Sequence, residues 1–152
     1  MNEEKLKQLA PDLTQTFPRS PREILGGFVI LARCIDKCRA TLAGTNGEYH
    51  YWPCSLCTQL ETFTGVEHET LKDYVATGAT DDEIGTWYQA QSKVQDKMEI
   101  IHWNNKLRDM RPSEMPDEAQ EYLEKYIPRY LPTHPPVYVW FDMFDIEEGR
   151  IK

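Results

Sequence analysis

The sequence has no long apolar segment and only 8 glycines in 152 residues. Its longest apolar run, residues 26–32, is far shorter than the roughly 20 residues that a helix needs to cross a bilayer. No basic stretch followed by an apolar one marks a signal peptide, and the chain contains no internal repeat or low-complexity tract. We therefore expect a cytoplasmic protein without membrane association.

Positive charge and cofactor motifs are also scarce. The chain has 17 Lys and Arg residues against 25 Asp and Glu, a net charge of −8, which disfavours binding to nucleic acids. No Walker loop or nucleophile elbow is present, and Leu25-Gly26-Gly27 lacks the third glycine and the preceding strand of a dinucleotide fingerprint. His68-Glu69 begins like a zinc-protease signature, but Lys72 occupies the place of its second histidine. These enzyme classes are excluded.

The chain nevertheless has enough apolar surface for a stable core. Hydrophobic residues make up 40% of it, aromatic residues 11% and charged residues 28%, which is typical of a soluble domain. A length of 152 residues suits one domain. We predict a single domain over residues 1–152, with residues 1–11 as an N-terminal helix that docks only loosely.

Helical periodicity dominates the first half and predicts a mainly α, multi-helix bundle with short irregular or extended connections. Ser20-Pro21-Arg22-Glu23 has the pattern of a capped helix start. Gly26-Gly27 predicts an early break and a second helix near Phe28. That second helix has one apolar face and a stop at Gly44; the face comprises Phe28, Leu31, Ile35, Cys38 and Leu42.

Later segments predict further helices. One helix starts at Ser55 and another at the capping box of Thr80 and Glu83. The other helices are predicted around 71–75, across 94–107, and from Pro116 to just before Pro132. Residues 49–52 and 137–141 fit either a helix or a strand, because they are rich in aromatic and β-branched residues. For 137–145 we favour a helix.

Several motifs resemble a known family. They are Asp12-Leu13-Thr14, Ser20-Pro21-Arg22-Glu23, Leu25-Gly26-Gly27, Ile35-Asp36-Lys37, Arg39-Ala40, Leu42-Ala43-Gly44, Gly47-Glu48-Tyr49-His50-Tyr51, Trp103-Asn104 and Trp140-Phe141-Asp142. Together they resemble an uncharacterised bacterial family, domain of unknown function 5069. The resemblance implies a single bacterial domain, and no catalytic residues. Its members carry other residues where this chain has Cys34, Cys38 and Cys57, so it implies no shared role for the cysteines.

The four cysteines form the first candidate site. Cys34 and Cys38 are four residues apart on one predicted helix, and Cys54 and Cys57 form a Cys-x-x-Cys pair at a predicted helix start. Four thiolates at this spacing can bind zinc tetrahedrally. The Cys-x-x-Cys pair alone can instead support redox chemistry, because a helix N-terminus favours the thiolate form. The simpler interpretation is that Cys34 and Cys38 are small buried core residues.

A second candidate is an anion site. Ser20, Arg22, Lys37 and Arg39 belong to a segment, 17–39, that has five basic and two acidic residues. A helix N-terminus at Ser20 would add free N–H groups for a carboxylate or phosphate. The competing interpretation is an internal ion-pair network, in which Asp36 receives Arg22, Arg33 or Arg39.

Two weaker candidates remain. Glu48 and His50, with Asp36, can line a site near the aromatic segment. Trp140, Phe141 and Phe144 form an aromatic face that suits either a partner protein or the core.

The sequence leaves two functions open. The one we favour is a noncatalytic domain without cofactor, which binds a small anion or a partner protein. The other is a zinc or thiol-redox protein based on the four cysteines, and the sequence does not decide whether the protein is an enzyme.

Overall fold

A computed structural model describes all residues, 1–152, and shows a mainly α protein. Eight α-helices and one short 3₁₀ helix (Pro112–Glu114) make the chain 57% helical, without any strand. This confirms the predicted fold class. The helices are α1 (Glu3–Leu9), α2 (Leu31–Ala43), α3 (Ser55–Thr64), α4 (His68–Val75), α5 (Asp81–Gln91), α6 (Lys97–Asp109), α7 (Asp117–Tyr130) and α8 (Trp140–Glu147).

The chain divides into two compact units, Met1–Ile101 and His102–Lys152. The prediction of one domain over residues 1–152 stays a prediction. No helix is long and apolar enough to span a bilayer. The N-terminal helix α1 contacts α2 and buries Leu6, of which 2% is exposed.

Helix α2 lies at the centre of the first unit. It contacts α1, α3 and α4, and every residue from Leu31 to Ala40 is buried. The predicted apolar face is therefore only part of the buried surface, because the polar faces of the helix are covered as well. Gly44 ends the helix in a left-handed conformation with φ of 76°, as predicted.

The prediction of a helix that starts at Ser20 is wrong. Residues 20–30 form turns instead, and α2 begins only at Leu31. Leu25 and Phe28 exchange backbone hydrogen bonds of 3.1 and 3.0 Å around Gly26-Gly27, and both glycines have positive φ. Two successive left-handed residues reverse the chain direction, so the capping signal at Ser20 cannot be continued into a helix.

Most of the later helix starts are confirmed. α3 begins at Ser55, Thr80 and Glu83 form the predicted capping box, and Pro116 directly precedes α7. Residues 49–52 are irregular, with a bend at Tyr51 and Trp52, and form neither a helix nor a strand. The segment predicted as a helix from Val137 is irregular up to Val139 and helical only from Trp140.

In the second unit, the aromatic residues of α8 pack inward. Trp140 and Phe141 are 3% and 0% exposed, and Phe144 is half-buried. This burial favours the core role over the docking role. An open groove of about 900 Å³ lies among the 3₁₀ helix, α7 and residues 137–139.

We expect Gly26→Ala to lower the free energy of unfolding by about 3 kcal/mol. Gly26 has φ of +59°, and a Cβ atom there would lie 2.9 Å from the Cα and carbonyl oxygen of Gly85. Gly44→Ala is the matched control, because Gly44 also has positive φ but no atom lies within 4 Å of its Cβ position. That control should lose only about 1 kcal/mol. Denaturant unfolding measures both, and equal losses would show that the contact with Gly85 contributes nothing.

Candidate functional site

The structure brings the cysteines together where α2 meets α3. Cys34 of α2 and Cys57 of α3 form a disulfide with a Cα–Cα distance of 6.2 Å. Both are buried, with 1% and 5% of their surface exposed. Cys38 and Cys54 are free thiols. We call these four residues the cysteine cluster.

Cys54 occupies the N-cap of α3. Its Sγ accepts a hydrogen bond from the backbone N–H of Cys57 at 3.5 Å, and the Nζ of Lys37 donates to the same sulfur at 2.9 Å. The positive charge of Lys37 and the N-terminal end of α3 therefore both face this sulfur. Cys54 is half-buried, so its thiol is the most accessible of the cluster.

The segment before Cys54 is held against α4. The hydroxyl of Tyr51 donates to the carbonyl oxygen of His68 at 2.7 Å. The ring of Trp52 stacks on the His68 imidazole, with centroids 3.7 Å apart and an interplanar angle of 4°. The Nδ1 of His68 lies 3.2 Å from a carboxylate oxygen of Glu61 on α3. These contacts fix the backbone that leads into Cys54.

Cys38 belongs to the core. It is fully buried, and this burial raises the pKa of its thiol to about 12, although the positive charges of Lys72 and Arg39 act in the opposite direction. Since the thiolate is the reactive form of cysteine, Cys38 stays protonated and unreactive at neutral pH. This is the core role that the sequence offered as its simpler interpretation.

The structure gives the zinc prediction little support. Zinc requires deprotonated thiols, and the disulfide removes the sulfurs of Cys34 and Cys57 from that state. No group of three or more His, Cys, Asp or Glu side chains is arranged to hold a metal ion. Zinc binding by the reduced cysteines stays a prediction.

A second cluster, the ion-pair cluster, connects α2 with α5. The guanidinium of Arg19 contacts Asp36 at 3.0 Å and Asp81 at 2.8 Å, and Arg39 contacts Asp81 at 2.8 Å. Arg39 also donates to the carbonyl oxygen of Ala79 at 2.9 Å. Burial raises the pKa of Asp81, but the hydrogen bonds from Arg19 and Arg39 outweigh it and hold this pKa below its usual value.

This cluster corresponds to the predicted ion-pair network, with different members. Asp36 accepts hydrogen bonds from Arg19 rather than from Arg22, Arg33 or Arg39, and Asp81 lies 42 residues from Arg39 along the chain. No local pattern signals such a distant pair.

The four residues of the predicted anion site are distributed over several contacts. Arg39 belongs to the ion-pair cluster, Lys37 contacts Cys54, and the hydroxyl of Ser20 accepts the backbone N–H of Arg22 within a turn. The helix N-terminus expected at Ser20 is absent, so the site lacks that source of free N–H groups. Glu48 and His50 lie exposed in the turn region before Cys54, and their role stays a prediction.

We expect Asp81→Asn to lower the free energy of unfolding at neutral pH by about 1–2 kcal/mol. The loss is moderate because the Asp81 side chain is 41% exposed, although Arg39 is only 4% exposed. A carboxyl with a lowered pKa stabilises the fold above its unfolded value of 3.8 and loses this effect as the pH falls through its folded value. The acid-induced loss of stability should therefore be smaller in the variant. The neighbouring exposed Asp82→Asn is the control, and an equal effect there would contradict the role of the ion pairs.

The fold and the cysteine cluster define a mainly α protein with one disulfide, one accessible thiol and one buried thiol around its central helix. The chain belongs to the family described as domain of unknown function (DUF5069), whose family model matches residues 15–150. This confirms the resemblance seen in the sequence. No protein of curated function matches the chain.

Proposed function

We propose that this chain is a thiol–disulfide redox protein whose Cys34–Cys57 disulfide is reversibly reduced by thiols. One observation carries the proposal: the accessible thiol of Cys54 lies in the first turn of the helix that bears Cys57, against the ammonium group of Lys37. A disulfide with a purely structural role needs no accessible thiol beside it. Thiol–disulfide exchange needs one, because a thiolate must attack one sulfur of the bond.

The reaction is a two-electron exchange. A partner with two thiols reduces the Cys34–Cys57 bond to two protein thiols, and the partner's two sulfurs become a disulfide. Two electrons and two protons pass from the partner to the protein, so no further reactant is needed. The partner class is therefore a dithiol, or two molecules of a small thiol.

The electrostatics around Cys54 support this chemistry. Lys37 is 5% exposed and donates to the sulfur, so a negative charge that develops on Sγ has a fixed cation beside it. Cys38, in contrast, cannot act as the attacking thiolate, because burial keeps its thiol protonated. A cytoplasmic location, which is itself part of this proposal, favours a redox role, since disulfides there are transient rather than structural. The proposal concerns this chain and not the whole family.

We expect the disulfide to show a reversible two-electron transition with a midpoint potential above about −300 mV, because structural disulfides lie below that value. The protein is equilibrated with mixtures of reduced and oxidised dithiothreitol, and its free thiols are alkylated after acid quenching and counted by mass spectrometry. Cys38→Ser is the control and should titrate like the wild type. A bond that remains oxidised below that potential would identify a structural disulfide and overturn the proposal.

A second candidate function is the binding of a small anion near Ser20, Arg22, Lys37 and Arg39, without catalysis. It is favoured by the Nε of Arg39, which is buried and lacks a hydrogen-bond partner. Buried donors are normally satisfied, and an anion oxygen is one group that can satisfy them.

If an anion binds there, sulfate should raise the thermal midpoint above that in chloride of equal ionic strength by about 2–4 °C. Sulfate also stabilises proteins without binding to a site, so a variant must separate the two effects. Arg39→Lys removes the unpartnered Nε and keeps a positive charge beside Asp81, so it should abolish the part of the shift that comes from binding and leave the general part. Identical shifts in the wild type and the variant would rule out this site.

A further inference from the structure

The disulfide of the cysteine cluster is out of reach of external thiols. Only 1% of Cys34 and 5% of Cys57 is exposed, and an attacking thiolate must approach one of the two sulfurs directly. Cys54 is the one half-exposed cysteine of the cluster. A route between the buried bond and a partner therefore has to pass through Cys54.

We propose that the cysteine cluster is a disulfide relay, in which Cys54 attacks Cys57 and the bond moves from Cys34–Cys57 to Cys54–Cys57. This inference rests on the proposed redox function and specifies its path. The Cys54–Cys57 bond is the form that exchanges with a partner, because one of its two sulfurs reaches the surface.

The first turn of α3 places the sulfur of Cys54 against the backbone of Cys57. Cys54 is the N-cap and Cys57 the third helical residue, the spacing at which an N-cap side chain bonds to the backbone N–H of the third residue. The Sγ of Cys54 already lies 3.5 Å from the backbone nitrogen of Cys57. A Cys-x-x-Cys pair at a helix N-terminus is a spacing that forms reversible disulfides.

The step is balanced without any external oxidant. The Cys54 sulfur, as thiolate, bonds to the Cys57 sulfur, and the bond between Cys57 and Cys34 breaks with its electron pair on Cys34. Cys34 then takes up a proton from solvent, which replaces the one that Cys54 gave up. The protein keeps one disulfide and two thiols throughout, so the step is an isomerisation.

Cys38 cannot replace Cys54 in this role. It lies one turn from Cys34 on α2, and its burial keeps the thiol protonated. The relay also changes what the bond connects: Cys34–Cys57 links α2 to α3, whereas Cys54–Cys57 lies within one turn of α3. The relay therefore removes the covalent link between the two helices without net reduction.

The first test follows the reduction of the full-length protein by reduced glutathione, with acid quenching and alkylation at each time point. We expect Cys54→Ser to slow the reduction of the Cys34–Cys57 bond by about 10-fold or more, since the accessible nucleophile is lost. Serine also serves as an N-cap, so this variant keeps the start of α3. Cys38→Ser is the matched control and should reduce at the wild-type rate.

The second test detects the alternative bond directly. Cys34→Ser is incubated with oxidised glutathione, and its disulfides are mapped by peptide mass spectrometry without reduction. We expect a Cys54–Cys57 bond, which Cys34→Ser/Cys54→Ser cannot form. Circular dichroism of each variant verifies that the helices are retained.

The two proposals fail in different ways. If Cys54→Ser is reduced as fast as the wild type, or if Cys34→Ser yields only mixed disulfides with glutathione, the relay is wrong, while a reversible wild-type titration would still support the redox function. If the wild-type disulfide cannot be reduced reversibly, the redox function itself is wrong.

Discussion

Burial of α2 on all sides is the constraint on which the first unit depends. Ten consecutive residues, Leu31–Ala40, are buried, and four of them carry charged side chains: Arg33, Asp36, Lys37 and Arg39. A buried charge is costly unless it has a partner, so each of these side chains requires a group from another part of the chain. The partners come from the turn before α2, from α3 and from α5, and they fix these segments around the central helix.

The cysteine cluster follows from the same constraint. α2 contributes Cys34, Cys38 and Lys37 on adjoining faces, and α3 begins at Cys54 against Lys37. The stacked pair of Trp52 and His68 fixes the chain just before that point. Three cysteine environments result where one turn of α2 meets the first turn of α3: a disulfide, a thiol beside a cation, and a thiol kept neutral by burial. Differences of this kind allow chemically identical side chains to have different roles.

Local sequence signals were reliable where they acted within a few residues. The Gly44 stop, the capping box of Thr80 and Glu83, and the start of α3 at Ser55 all depend on neighbours within one turn. The helix predicted at Ser20 does not form, although Ser20, Pro21 and Glu23 are residues typical of a helix start. Gly26 lies against Gly85, and a turn at residues 25–28 takes the place of that helix. That contact joins residues 59 positions apart, so the hydrophobic periodicity of the sequence cannot predict it.

The cysteine cluster and the ion-pair cluster also depend partly on local sequence and partly on tertiary contacts. From the sequence alone came the mainly α class, the family resemblance, and the choice of the cysteines and of the basic segment 17–39 as candidates, because composition, spacing and capping are local properties. Only the tertiary structure decided that Cys34 pairs with Cys57, that Lys37 faces Cys54, and that Arg19 and Asp81 complete the ion pairs. Which thiol is bonded, accessible or protonated depends on the packing of α2 against α3 and α4, which brings together residues that no local pattern connects.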